Sequence, residues 1–167
     1  MPFFSFKNIK ISGISTAVPK QEIDVSSFSQ IFGDDFVTDF ETVTGIRKFR
    51  RSSEKQTASD LGYEAANRLL ETKGISKDKI GALLFASHSP DYKRPATACV
   101  LHKRLELPEE CAALDINLGC SAFVYGLVSA CSLMQCSDID KALLVVAETV
   151  SKNVYPKDRS VAAMFGD

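Results

Sequence analysis

The sequence predicts an α/β fold: a mostly parallel βαβαβ sheet with helices on both faces. Three observations point there. Continuous apolar runs of strand length occur at 80–86 and 142–147, stretches with helical spacing lie between them, and the connections are short throughout. Strands that alternate with helices in this way imply right-handed crossovers and parallel pairing. At 167 residues and 45% hydrophobic, the chain is long enough to bury a core of its own.

Taken in order, residues 10–18 alternate near period two and stop at Pro19, which predicts a first strand. Residues 24–32 predict a short helix capped by Asp24 and ended by Gly33. Residues 36–43 are ambiguous and compatible with a helix. Thr44-Gly45 makes a turn, and the basic run Arg47-Lys48-Phe49-Arg50-Arg51 follows. Thr57 or Ser59 caps an amphipathic helix in which Leu61, Ala65, Ala66, Leu69 and Leu70 share a face, and Gly74 closes it. The run at 80–86 suits a parallel strand covered on both sides. Pro95 opens a helix over 96–105, in the first turn where proline is tolerated. Residues 112–116 form a short strand, and 121–134 a helix apolar almost all round and therefore expected to be buried. Residues 142–147 form a further buried strand. Residues 161–165 are apolar and expected to be buried, and the chain then stops at Gly166-Asp167 without the polar tail a domain usually has. No linker or low-complexity segment interrupts the chain.

Composition excludes several function classes. A formal net charge of −1 offers no global case for binding nucleic acid. The five cysteines are odd in number and lack metal spacing, and the two histidines stand in unrelated contexts, so neither a disulfide framework nor a metal site is expected. Free thiols point to a reducing compartment. The apolar N-terminus is broken by Lys7 and Lys10, too early for a signal peptide, and no run reaches the length of a membrane span. A soluble cytoplasmic protein is expected.

One cysteine stands apart. Cys120 falls between the strand at 112–116 and the apolar helix, preceded by Gly119, which suits a tight turn. A thiol at such an elbow lies at the positive end of a helix dipole among backbone N–H groups, a setting that favours a thiolate and can stabilise an oxyanion. Cys99, Cys131 and Cys136 sit in helices or at their ends, and Cys111 begins a strand. For these the ordinary reading is a small core residue. The carboxyl edge of an α/β sheet is where such folds present functional groups.

The residues around Cys120 carry a resemblance. The segment Asp115-Ile116-Asn117-Leu118-Gly119-Cys120-Ser121-Ala122-Phe123 resembles the active-site region of β-ketoacyl-acyl carrier protein synthase III. It is preceded by Ala86-Ser87-His88-Ser89-Pro90-Asp91-Tyr92 and Pro95-Ala96-Thr97-Ala98. Thr44-Gly45-Ile46-Arg47 resembles the family's TGIR turn. Pro156-Lys157-Asp158-Arg159 and Phe165-Gly166-Asp167 resemble the approach to its FGDGA signature. These matches occur in family order over nearly the whole chain.

The resemblance implies a thiolase-like fold, a homodimer, and a role in fatty acid biosynthesis. Residues 1–167 would form the N-terminal thiolase-like domain, cut before the C-terminal half. By position, Cys120 would accept the acyl group from a thioester, and the acyl-enzyme would condense with malonyl-acyl carrier protein. No cofactor is implied beyond acyl thioesters of coenzyme A or acyl carrier protein. The family's histidine and asparagine that promote decarboxylation belong to the second half, so this chain alone is expected not to condense. His88 and His102 are assigned structural roles, His102 as a solvated surface residue. The uncovered sheet edge and helix faces expected at the cut predict a dimer or larger association.

Substrate and carrier contacts fall on three arginines. Arg159 matches the later arginine of the family's adenine clamp, but Asp39 and Val43 stand where a tryptophan and an arginine are usual, and the chain has no tryptophan. A carrier protein or unusual thioester is therefore expected as donor, not simple acetyl-coenzyme A. Arg94 replaces an apolar residue that bounds the partner's acyl pocket; it would shorten that pocket, read a polar acyl group, or extend into solvent. Arg47 heads the basic run, read either as a docking patch for an acidic acyl carrier protein or as a solvated loop. Acyl transfer or ester formation without condensation, and a non-catalytic scaffold subunit, are the alternative functions. A small thioesterase ranks last for want of a general base.

Overall fold

A computed structural model describes residues 3–167. Their contacts fall into two compact units, residues 3–17 with 58–148, and residues 18–57 with 149–167.

The second unit begins with strand β1, Gln21–Asp24. Asp24 then caps a 3-10 turn over Val25–Phe28, its carboxylate accepting from Ser26 N–H at 2.9 Å. Helix α1 (Ser29–Phe32) follows and ends at Gly33, whose φ of 89° favours glycine. The expected helix over 24–32 is thus a 3-10 turn running into one α-turn, with both of its predicted ends in place. Helix α2, Asp34–Thr44, includes the ambiguous 36–43 stretch and opens with Asp34 and Asp35, whose charges suit the positive end of its dipole. Gly45 closes it at φ 72°. Strand β2, Lys48–Arg51, pairs antiparallel with β1, placing Gln21 opposite Arg51.

Phenylalanines four residues apart hold this unit together. Phe28, Phe32, Phe36 and Phe40 form a row with ring centroids 6.1, 4.9 and 5.6 Å apart. Phe49 of β2, Ala162 and Ala163 complete the cluster. The Asp167 carboxylate ties the closing turn to the strand end. It accepts from Ser52 N–H and Oγ at 2.7 and 2.6 Å and from Ser151 N–H and Oγ at 2.7 and 2.5 Å. Of the apolar residues 161–165, Ala162 and Ala163 are buried as expected, while Met164 and Phe165 are exposed.

The first unit contains α3 (Ala58–Lys73), β3 (Ala82–Ala86), α4 (Thr97–Leu105), β4 (Ala112–Ile116), α5 (Ala122–Gln135) and β5 (Ala142–Val146). The three strands are parallel in the order β4-β3-β5. Every residue of the central strand β3 is buried, which is what its unbroken apolar run requires. Alternation sorts those residues by face. Leu83 and Phe85 pack with α3 and α4, whereas Ala82 and Leu84 pack with α5 through Ala130 and Leu133. Helices therefore cover both faces, as the sequence predicts. Gly62 of α3 lets that helix lie close, since a Cβ there would stand 2.7 Å from Val145 Cγ1.

Helix α3 begins at Ala58, so Thr57 takes the cap position and Ser59 lies in the first turn. Gly74 ends it at φ 61°. Helix α4 begins at Thr97, two residues after Pro95, which precedes the helix instead of opening it.

Two expectations are corrected. Residues 10–18 are not a strand: no neighbour pairs with them among the described residues, and Ile14 is 80% exposed. Period-two alternation fixes which side chains share a face, but a strand also needs a ladder partner. Helix α5 is not buried all round either. Ala122, Gly126 and Ala130, spaced four apart, meet the sheet, while Phe123, Val124 and Tyr125 are exposed. Apolarity on every side says what a face can pack against, and three strands supply a cover for only one side. Among the described residues, no helix is long and apolar enough to cross a membrane.

Candidate active site

The parallel register places Ala86 opposite both Ile116 and Val146, so β3, β4 and β5 finish at one edge. Cys120 lies at that edge, four residues beyond the end of β4. Leu118 N–H donates back to Ile116 O at 3.0 Å, and Ala122 N–H to Gly119 O at 2.8 Å, which folds a tight turn around Cys120. Ser121 is the cap of α5, so Cys120 precedes the helix by one capping residue. Gly119 is not among the residues with positive φ, and a Cβ there would meet nothing within 4 Å. Its smallness leaves open space beside the cysteine; it does not relieve a strained backbone.

Cys120 is exposed, but so are Cys99 and Cys136, while Cys131 is half-buried. Exposure alone does not single it out; the elbow does. Cys111 is the opposite case, buried just before β4, where burial pushes its thiol pKa up.

The same edge carries a polar cluster not anticipated from sequence. Glu148 follows β5 and receives the loop that follows β3. Its Oε2 accepts from Ser87 Oγ at 3.0 Å and from Ser89 N–H and Oγ at 3.1 and 2.5 Å. Its Oε1 accepts from His88 N–H at 2.9 Å and stands 2.9 Å from His88 Nδ1. Burial alone would raise the Glu148 pKa, but hydrogen bonds from the Ser89 hydroxyl and from His88 outweigh it and hold the carboxyl below its ordinary value. An ionised carboxylate only accepts, so His88 Nδ1 is the donor toward Glu148. The His88 side chain is 47% exposed and that of Glu148 25%. The sequence signal, visible in retrospect, is a serine pair flanking His88 after one buried strand and a lone glutamate after its neighbour.

Two more carboxylates cap helices from a distance. Asp115 of β4 accepts from Thr97 and Ala98 N–H, both at 2.7 Å, at the start of α4. Asp91 accepts from Ser59 N–H at 3.0 Å at the start of α3. His102 is not a solvated residue: it is part-buried, with Nε2 2.9 Å from Pro108 O. Its place in the last turn of α4 lets the ring fold onto the chain leaving the helix.

The predicted arginines are divided between the two units. Arg94 is exposed in the loop before α4. Arg47 and Arg159 belong to the other unit, and both engage α2: Arg47 Nε lies 3.8 Å from Glu41 Oε2 with its side chain 83% exposed, and the Arg159 guanidinium sits 5.4 Å from the centre of the Phe36 ring. Asp39 and Val43 are exposed on α2 as well. Lys48–Arg51 of the basic run are strand, not loop, and Arg47 precedes them. Alternation turns Lys48 and Arg50 toward Glu22, at 2.9 and 3.5 Å, while Phe49 enters the aromatic cluster. Arg51 covers the Phe49 ring at 5.4 Å and donates to Ala162 O at 3.4 Å. Among the described residues, no group of three or more His, Cys, Asp or Glu could hold a metal ion.

Comparison with known proteins agrees with this geometry. Residues 114–167, from β4 through Cys120 to the chain end, match the family described as 3-oxoacyl-[acyl-carrier-protein] synthase III. The β-ketoacyl-[acyl-carrier-protein] synthase III of Clostridium beijerinckii is 36% identical over 162 residues, which is 96% of this chain and 49% of that protein. The Xanthomonas axonopodis pv. citri protein of the same name is 34% identical over 160 residues, 95% of this chain and 48% of its own length. The solved 3-oxoacyl-(acyl-carrier protein) synthase of Burkholderia xenovorans superposes with a TM-score of 0.88 at 38% identity, covering 92% of this chain and 45% of that one. The chain thus spans about half the length of the curated relatives it matches. By sequence and by its thiolase-like fold, the chain is similar over nearly its whole length to about half of a 3-oxoacyl-[acyl-carrier-protein] synthase III.

Proposed function

We propose that Cys120 is the acyl-accepting nucleophile of a condensing acyltransferase of the 3-oxoacyl-[acyl-carrier-protein] synthase III type. The observation that supports this best is an exposed thiol at the β4–α5 elbow, inside the segment that matches the family. In this reading the Cys120 sulfur attacks the carbonyl carbon of an acyl thioester, the donor thiol departs, and the acyl group rests on the enzyme. The whole protein, a cytoplasmic homodimer, then condenses that group with malonyl-acyl carrier protein. The chain Met1–Asp167 by itself accepts the acyl group but does not condense it.

The donor in this reading is an acyl carrier protein thioester in preference to acetyl-coenzyme A. Asp39 and Val43 offer no stacking surface for adenine, and Arg159 lies against Phe36. Arg47, largely exposed, is available to an acidic carrier. Arg94 faces solvent in the loop before α4, open to a polar group of the incoming acyl chain or to a partner copy.

Intact mass and peptide mapping after incubation with acyl-acyl carrier protein or acetyl-coenzyme A test the assignment. Acylation on the Cys120 peptide, absent in Cys120→Ser and faster from the carrier protein, is the expected result. Label confined to Cys99 or Cys136 refutes it, and efficient acylation by acetyl-coenzyme A refutes the donor preference. Malonyl-dependent turnover by the 167-residue chain refutes the division of labour.

A further inference from the structure

We propose that Asp115 is a positioning residue for Cys120: by tying the end of β4 to the start of α4, it sets the elbow from which the thiol attacks. The inference rests on the reading of Cys120 as the acyl acceptor.

Asp115 is out of keeping with its surroundings. Alternation along β4 sends Leu114 and Ile116 toward α5, and Ala113 toward α3 and α4. Asp115 shares the side of Ala113, where the neighbouring strands contribute Leu83, Phe85, Leu143 and Val145. Packing alone would place an apolar side chain there. The Asp115 carboxylate instead accepts from Thr97 and Ala98 N–H, both at 2.7 Å. The two donors belong to fully buried residues in the first turn of α4. A carboxylate thus meets the positive end of a nine-residue helix.

This attachment falls where β4 needs one. In the order β4-β3-β5, β4 is an edge strand with a single ladder, to β3. Its last residue, Ile116, accepts from Ser87 N–H at 3.1 Å and from Leu118 N–H at 3.0 Å. Residues 117–121 are all exposed, and the chain is next buried at Ala122. Cys120 is therefore carried between two anchors, the end of β4 and the start of α5. Close packing makes the second anchor, since a Cβ on Gly126 would stand 2.7 Å from Leu144 Cδ1. Asp115 reinforces the first, one residue before the strand lets go. A reacting group displaced by about 1 Å can lose about 100-fold in rate. Release of one strand residue, about 3.3 Å of chain, would exceed that displacement.

The test follows acylation at the Cys120 peptide over a range of acyl-acyl carrier protein concentrations. Alongside it runs alkylation of the same cysteine by iodoacetamide, a small reagent that needs no fixed approach. Asp115→Asn keeps the side-chain shape but replaces one acceptor oxygen by an NH2 group, which cannot receive the second N–H. It should lower the maximal acylation rate about 10-fold or more, with the half-saturating donor concentration and the alkylation rate unchanged. Asp91→Asn weakens the cap of α3, which does not lead to the elbow, and should acylate at the wild-type rate. A wild-type rate in Asp115→Asn overturns the proposal. So does equal slowing in Asp91→Asn, or loss of folding in Asp115→Asn, because the carboxylate then serves the unit as a whole. Alkylation that slows in step with acylation also overturns it, since the thiol is then less reactive and not misaimed. Absence of Cys120 acylation already in wild type overturns the reading of Cys120 itself, and is told apart by occurring without any substitution.

Discussion

The two units solve the same problem with different materials. In the first, an aliphatic sheet is enclosed between helices, and its polar residues work at the ends: Asp115 and Asp91 cap helices, and Glu148 fixes a loop. In the second, a two-stranded ribbon is too small to enclose anything. A row of phenylalanines substitutes for a sheet core, and the single carboxylate of Asp167 closes the circuit between segments 115 and 16 residues apart. The first unit draws its core from the continuous stretch 58–148, the second from two pieces of chain that must find each other. Local pattern is enough to build one; the other depends on long-range polar closure.

The largest expected effects test whether the units are separable. Phe85→Ala empties the fully buried centre of β3 and should cost about 4 kcal/mol, read by urea denaturation. Phe36→Ala removes the ring shared by Phe32, Phe40 and Arg159 and should cost about 3 kcal/mol. Hydrogen exchange gives the sharper reading. Phe36→Ala should lower protection in 18–57 and 149–167 and leave β3 protected. Equal loss everywhere would break the two-unit description.

Next in size is Asp167→Asn, which weakens four hydrogen bonds to a charged acceptor and should cost about 2 kcal/mol. Burial raises the Asp167 pKa, but hydrogen bonds from Ser151 and Ser52 outweigh it and leave the carboxyl below its ordinary value. The sign follows: its stabilisation is complete above the unfolded value of about 3.9 and is lost as pH falls through the lower folded one. Glu148 behaves the same way from an unfolded value of about 4.3. Asp167→Asn should flatten the acid dependence of exchange in 149–167, and Glu148→Gln that in 86–89. If either substitution flattens both regions, the carboxylates do not serve separate units.

Gly62→Ala should cost about 1 kcal/mol, because the clash with Val145 Cγ1 outweighs the gain in helix propensity, and thermal melting should show it. The smallest effect belongs to Glu22→Gln. It breaks exposed pairs with Lys48 and Arg50, and should leave Tm within experimental scatter at physiological salt.

The unequal legibility of the molecule follows the same division. Strands β3, β4 and β5 and helix α3 are readable because period and apolar runs are local properties, and the elbow at Cys120 follows from two such elements meeting. The Glu148 cluster was not readable: its donors lie 59 to 61 residues away, and nothing in a serine or glutamate records its partner. Residues 10–18 carry a strand's alternation without a ladder, and α5 carries apolar faces without a cover. In both, the sequence describes an affinity, and only tertiary structure says whether it is met. The basic run failed in the other direction, since its charges concealed that Phe49 is the inward member of a strand.

Cys111 has a use apart from catalysis. Its thiol is sealed against the sheet and made less reactive by burial, whereas three of its four companions are exposed. In a chain whose exposed thiols have been blocked, Cys111 becomes a built-in clock for the opening of the first unit. The rate at which a thiol reagent reaches it reports how often β4 comes away from its neighbours, with no probe added to the protein.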